Sequence, residues 1–200
     1  MEAITVNHQL TEASINDYMS TTNMVKYEVG ILNEMLDLLK KNDSEKLDWF
    51  ASFGDDIRHI IMNVNAYRRG LDFGFTEIEF DQYGWFVRPQ FLDFEAIKLG
   101  DTKNYNSYSE IRIGRGSNHV WTYALSYSFG TAGSGSNISV YDRPYKDRET
   151  ALNAALIELK DVMQAKVGNS DRSNYNPQII ATTLKAVSEY KYKDSQMTLF

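Results

Sequence analysis

The order of periodicities along the chain predicts an α+β fold: an antiparallel sheet of about four to five strands, packed by an N-terminal helical hairpin and two C-terminal helices. Three observations carry this. Apolar residues recur at helical spacing before residue 70. They alternate with polar residues between 75 and 142. Helical spacing returns from 148 onward. Strands grouped between helices, rather than alternating with them, argue against a parallel βαβ sheet.

The first twenty residues offer Leu10, Ile15, Tyr18 and Met19 as the line of a short helix. Residues 23–41 read as a strong amphipathic helix, with Met24, Ile31, Met35 and Leu38 at helical steps and Val25, Leu32, Leu36 and Leu39 widening the stripe. Asn42-Asp43-Ser44 ends that helix and caps the next. A second helix is predicted over 45–69, with Leu47, Phe50, Phe53, Ile57, Ile60, Ile61 and Val64 on its apolar face. Arg68 and Arg69 in the last turn suit the negative end of the helix dipole, and Gly70 stops it.

The period then changes. FTEIEF (75–80) and WFVRP (85–89) flank a turn and read as a β-hairpin. Residues 91–99 read as a strand, with a short helix as the alternative, and 110–116 as a strand. The clearest strand is 119–129, where Trp121, Tyr123, Leu125, Tyr127 and Phe129 share one face and Thr122, Ala124, Ser126 and Ser128 the other. The aromatic face reads as core, because it holds the best apolar residues the sheet can offer to its helices, with a stacking platform for bases as the alternative. The glycine-rich 130–136 reads as a flexible connection, and SNISVYD (136–142) as the returning strand. A third long helix spans about 148–167 with Asp147 as N-cap, and a last helix starts at Asn176-Pro177 and runs to about Tyr190. Residues 1–190 thus read as one domain, with a helical part over 1–72, a sheet over 73–147 and a helical part over 148–190. Residues 191–200 read as a flexible tail.

Composition narrows the function classes. Forty-two per cent apolar residues and 24% charged residues suit a globular chain. There is no cysteine, so disulfides and thiolate metal sites are excluded. No apolar run approaches the roughly 20 residues of a membrane span, and the first residues lack a signal peptide's basic and apolar regions. The expectation is a cytoplasmic protein with no membrane partner. The net charge is −6; an acidic chain lacks the general phosphate attraction of a nucleic-acid binder, so any DNA contact is local or made through a partner. Arg112 and Arg115 near the long strand, and Arg143, Lys146 and Arg148 around Pro144-Tyr145, are the candidate residues for such a contact.

Catalytic and cofactor motifs are missing from the sequence. His8, His59 and His119 are not spaced as metal ligands. Asp55-Asp56, expected within the second helix, point about 100° apart there and share no chelating face. Glu77, Glu79 and Asp81 read as a solvated strand face. GRGSNH (114–119) and GTAGSGS (130–136) lack the order of a phosphate loop, and Ser134 and Ser136 lack a histidine–acid set near them in sequence. No metal or cofactor is expected. A hidden enzyme would need Asp93, Glu95, His119 and Asp142 to converge. A third class is a regulatory or anti-defence interaction module.

The most specific run is Gln196-Met197-Thr198-Leu199-Phe200, after a charged segment. It resembles the bacterial sliding-clamp-binding motif, a Gln, an aliphatic residue, a small or acidic residue, then Leu-Phe. The resemblance implies that Leu199 and Phe200 enter a hydrophobic pocket of the clamp, with Met197 beside them, while Gln196 reaches a polar subsite. The stretch from Trp121 through YDRPYKDRETALNAALIEL also resembles small strand-plus-helix modules of phage, plasmid and other mobile-element proteins. Together these imply a non-enzymatic accessory protein tethered to the DNA sliding clamp.

Overall fold

The computed structural model describes residues 10–197, with the side chains of 191–197 left aside. The chain packs as two compact units: Met1–Leu71 with Phe75–Pro89, and Asp72–Gly74 with Gln90–Phe200. The fold is α+β, with helices first, a four-stranded antiparallel sheet next, and two helices packing on that sheet.

Among the described residues, unit 1 contains four helices: α1 (Glu12–Thr21), α2 (Lys26–Lys41), α3 (Ser44–Ala51) and α4 (Ile57–Leu71). Thr11 caps α1 by accepting from the N–H of Ser14. Glu28 reaches back to the N–H of Val25 at the start of α2 (2.8 Å). Asn42 ends α2 in the left-handed conformation (φ 51°), which Asn tolerates better than most side chains. The core joins Ile15, Leu32 and Met35 to Phe50, Phe53, Ile60, Ile61 and Val64. Arg68 on α4 grips Glu34 on α2 with both terminal nitrogens (2.8 and 2.9 Å), while its guanidinium lies over Phe50 and Trp49.

The single helix expected over 45–69 is in fact α3 and α4, broken at residues 52–56. Two side chains explain the break. A Cβ on Gly54 would stand 2.5 Å from Cβ of His59, so the chain crosses the start of α4 where only glycine fits. Asp56 accepts from the N–H of His59 (2.8 Å) and starts a new helix there. The apolar stripe passes through the break because both helices turn it to the same core.

The expected hairpin at 75–89 is present but short. Phe80 and Phe86 form its one antiparallel bridge, extended by Val87 N–H to Glu79 O and Asp81 N–H to Trp85 O, both 2.8 Å. Asp81 accepts from Tyr83 and Trp85 N–H and fixes the turn. Asn63, in the middle of α4 and 1% exposed, ties this hairpin to the helical break. Its amide donates to Phe53 O (2.7 Å) and Gly84 O (2.8 Å), and its oxygen accepts from Phe86 N–H (3.0 Å).

Unit 2 is built on β1 (Leu92–Gly100), β2 (Tyr108–Arg115), β3 (Trp121–Ser128) and β4 (Gly133–Gly135), hydrogen-bonded in that order and all antiparallel. The helices α5 (Arg148–Gln164) and α6 (Pro177–Met197) complete it. Their caps are the expected ones: Asp147 accepts from Thr150 N–H (2.7 Å), and Asn176 from Gln178 N–H (2.9 Å). Leu99, Ile111, Ile113, Leu125 and Phe129 of the sheet pack on Leu152, Leu156, Leu159 and Met163 of α5 and on Ile180 and Val187 of α6. Trp121, Tyr123 and Tyr127 lie against the same core, so the aromatic face of β3 serves packing and is no open stacking platform.

Two expectations in this unit need correction. Residues 136–142 are not a strand. They loop out and are tied by Asp142, which accepts from Ser139 N–H (2.6 Å) while its own N–H meets Ser139 O (3.0 Å). The fourth strand comes instead from the glycine-rich segment, because β4 runs so close to β3 that a Cβ on Gly133 would reach Tyr127 O at 2.5 Å. The last helix also continues past Tyr190 to Met197, so residues 191–197 extend α6 rather than forming a linker.

Candidate functional site

The five cations proposed for local DNA contact all lie in unit 2, and four of them are matched with carboxylates. Alternation along β2 sends Arg112 to the face opposite Ile111 and Ile113. There its Nε meets Glu110 (2.6 Å), and its Nη1 donates to Ser136 O (2.9 Å) and Asn137 Oδ1 (2.7 Å). Arg115 pairs with Asp93 at 2.5 Å, where β1 bulges and Asp93 takes a positive φ of 49°. Arg148, in the first turn of α5, grips both oxygens of Glu95 on β1 (2.7 and 2.6 Å). That contact holds Glu95 below the usual carboxylate range, against a smaller opposing effect of burial. Lys146 stands 3.6 Å from Asp147. Arg143 has no acid partner among the described residues; it lies over the ring of Tyr145. A phosphate at Arg112, Arg115 or Arg148 would therefore have to displace a carboxylate.

The acids and histidine that a hidden enzyme needs are not joined. Asp93 and Glu95 are committed to arginines, and Asp142 holds its loop turn. His119 sits exposed at the β2–β3 turn with φ 66°. Among the described residues, no three side chains of His, Cys, Asp and Glu gather as a metal site. His8 lies outside the described residues.

Two polar arrangements were not legible beforehand. In unit 1, Asp56 holds Nδ1 of His59 at 2.7 Å, and Trp85 stacks on the same ring (centroids 4.1 Å apart). This carboxylate–imidazole pair edges a cleft of about 380 Å³ with Tyr83 and Asp55. It is the geometry of an oriented base. Its nearby hydroxyl, Ser52, is spent on Trp49 O (2.6 Å), and no nucleophile hydrogen-bonds the ring among the described residues. The same contacts start α4, which is the role they fill. The signal available in sequence was Asp followed three residues later by His.

In unit 2, the phenol of Tyr123 donates to Glu158 on α5 (2.5 Å). Burial, then the Glu158 carboxylate, pushes that phenol far above its ordinary value, so it stays protonated. Asp142 lies by the same small pocket. Burial raises its pKa, the charge of Glu158 adds to the rise, and the Ser139 N–H opposes it. Alternation did place Tyr123 toward the helices; the partner on α5 lies 35 residues away and carries no local signal.

Of the clamp-ligand residues, Gln196 and Met197 fall in the last turn of the α6 backbone. Leu199 and Phe200 lie outside the described residues. The described side chains that fix α6 to unit 2 are Ile180, Leu184, Ala186, Val187 and Tyr190.

These features define a class by architecture alone, an α+β protein with two helices on one antiparallel sheet and an acidic helical unit before it. No protein-family model, no curated protein and no solved structure matches the chain. Among the described residues, no helix is long and apolar enough to cross a membrane.

Proposed function

We propose that this chain is a cytoplasmic accessory protein of a bacterial, phage or other mobile genetic element, acting by binding rather than catalysis and tethered to the DNA sliding clamp through Gln196, Met197, Leu199 and Phe200. The observation that carries the reading is the run Gln196-Met197-Thr198-Leu199-Phe200, which has the composition and spacing of a clamp ligand. The α6 backbone continues to Met197, so the run starts on a helix. At 1.5 Å per residue, Gln196 lies about 9 Å along the helix axis from Tyr190.

The energetics suit a weak tether. Burying Leu199 and Phe200 in a partner's pocket contributes about 1.5–3 kcal/mol each. Ordering the peptide cancels part of this and leaves an affinity of micromolar order. A ring-shaped partner offering several equal pockets raises the effective concentration. Any accompanying DNA contact would be made locally, with Arg143 and Lys146 the cations best placed to give it.

The test is competition. A peptide of residues 190–200 should displace a labelled clamp ligand at micromolar concentration. The intact protein should do so too, and the Leu199→Ala/Phe200→Ala double variant should weaken it by more than about tenfold, the effect of losing roughly 1.4 kcal/mol. If neither peptide nor intact protein competes at several hundred micromolar, the tether is wrong.

A further inference from the structure

We propose that an open cleft on the outer face of the unit 2 sheet, the face turned away from α5 and α6, is a binding site for a neutral carbohydrate of one or two rings. The cleft has a volume of about 420 Å³, within the range of about 300–1,000 Å³ usual for small-molecule sites. Its floor is the outward row of β2 and β3: Glu110 and Arg112 beside Ser126 and Ser128. Tyr105 and Tyr108 form one wall, and the backbone of residues 130–134 the other.

The site is built rather than left over. The Arg112 guanidinium is locked from two sides by Glu110 Oε1 and by the 136–137 loop. Ser128 is fixed by donating to Asn106 O (2.5 Å) and accepting from Gly130 N–H (3.0 Å). In the opposite wall, a Cβ on Gly133 would meet Tyr127 O at 2.5 Å, so only glycine lets that segment run so close to β3. Several polar atoms of the lining make no hydrogen bond among the described residues and are open to a ligand. Glu110 Oε2, Arg112 Nη2, Ser126 Oγ and the Tyr105 hydroxyl all belong to residues lining this one cleft.

The ligand class follows from charge and arrangement. Among the lining residues one carboxylate and one guanidinium are paired with each other, and the neighbouring Lys98, opposite Glu110 on β1, is held over the Tyr108 ring, so the lining itself presents no net charge to a phosphate. The free donors and acceptors are divided between two strands, which lie about 4.8 Å apart, and the Tyr105 loop. They do not present the single coplanar edge that a nucleobase needs. A sugar carries hydroxyls around its rim, each both donor and acceptor, and satisfies such a spread. Its C–H face suits the ring of Tyr105, which is 87% exposed.

Saturation-transfer NMR on the full-length chain tests this with glucose, galactose, mannose, N-acetylglucosamine, maltose, cellobiose and chitobiose, against adenosine, guanosine, uridine and cytidine. At least one sugar should receive saturation at about 5 mM, while the nucleosides do not. Tyr105→Ala, an exposed change that leaves the core intact, should reduce the signal several-fold. Glu110→Gln should do the same, with its circular dichroism and melting checked against the parent. The proposal is overturned if no sugar in the panel receives saturation, if nucleosides alone bind, or if sugar binding survives both substitutions unchanged. Clamp competition is a separate readout, so either reading can fail without the other.

Discussion

Unit 1 carries 14 acidic and 8 basic residues, and so the whole net charge of −6; unit 2 carries 13 of each and is neutral. The two also use their polar groups differently. In unit 2 the arginines of the sheet and of α5 are spent in short ion pairs, Arg112 with Glu110, Arg115 with Asp93 and Arg148 with Glu95. In unit 1 the interior is aromatic, with Trp49, Phe53, Tyr67, Phe80 and Phe86 meeting edge to face or tilted. Its one buried polar side chain among the described residues is the neutral amide of Asn63. The difference teaches where charge is available. In unit 2 the cations of the sheet and of the α5 start, Arg112, Arg115 and Arg148, are tied to acids. The acids of unit 1 are largely solvated and outnumber its basic residues, which leaves that unit net negative.

The sharpest way to break this comparison is to remove the amide. Asn63→Ala orphans Phe53 O, Gly84 O and Phe86 N–H together, and each unsatisfied buried group costs about 1–3 kcal/mol. Partial exposure of the hairpin lets water recover some of that, so the expected loss is about 3 kcal/mol. Urea denaturation measures it, and amide exchange locates it: protection should fall in α3, α4 and the 80–86 turn and persist in β2 and β3. A loss below about 1 kcal/mol would mean that the hairpin is not held through Asn63.

Asn63 also shows what the sequence made legible and what it hid. The helix stripes, the period change at 75, and the caps Asp147 and Asn176 are local signals, set by residues within one turn of their effect, and were readable. The break at 52–56 was hidden because the apolar spacing of Phe50, Phe53, Ile57 and Ile60 continues across it. Gly54 and Asp56 held the sign, but the reason for the glycine is a contact with His59. The fourth strand was misplaced because alternation in SNISVYD looks like a strand, whereas closeness to β3 selected the side-chain-free Gly133–Gly135. The site was less legible than the fold. Glu110, Ser126 and Ser128 converge with Tyr105 only through strand register and the return of the 130–134 loop. The five cations were visible in the sequence, but their acid partners Asp93 and Glu95 lie 22 and 53 residues away from Arg115 and Arg148.

A smaller effect of opposite sign sharpens the account of unit 2. Thr183 of α6 is fully buried, and its hydroxyl has no partner among the described residues. It faces Gly100 at the end of β1, where the space beside the glycine is already close. Thr183→Val keeps the shape and removes the desolvated hydroxyl, so stability should rise by about 1 kcal/mol. A loss of similar size in thermal melts would show that the hydroxyl is satisfied, and that unit 2 tolerates no orphaned group after all.

The smallest effect separates two carboxylates of unit 2 by the sign of their pH dependence. Arg148 holds Glu95 below its ordinary value of 4.5. Its contribution is present above that value and fades as pH falls through the lowered folded value. Burial lifts Asp142 above 3.8, with Glu158 adding to the lift. Its contribution is therefore whole below about 3.8 and is lost as pH rises through the raised folded value. Glu95→Gln should cost up to about 1 kcal/mol at pH 7, a partly exposed pair being screened by solvent, and little at pH 3. Asp142→Asn keeps an acceptor for Ser139 N–H and removes a reluctant charge, so it should gain a few tenths of a kcal/mol at pH 7 and nothing at pH 3. Urea titrations between pH 3 and 7 give both slopes. Opposite signs are required, because one acid is held by an arginine and the other by burial beside a second acid; equal signs would mean that Asp142 sees water rather than Glu158.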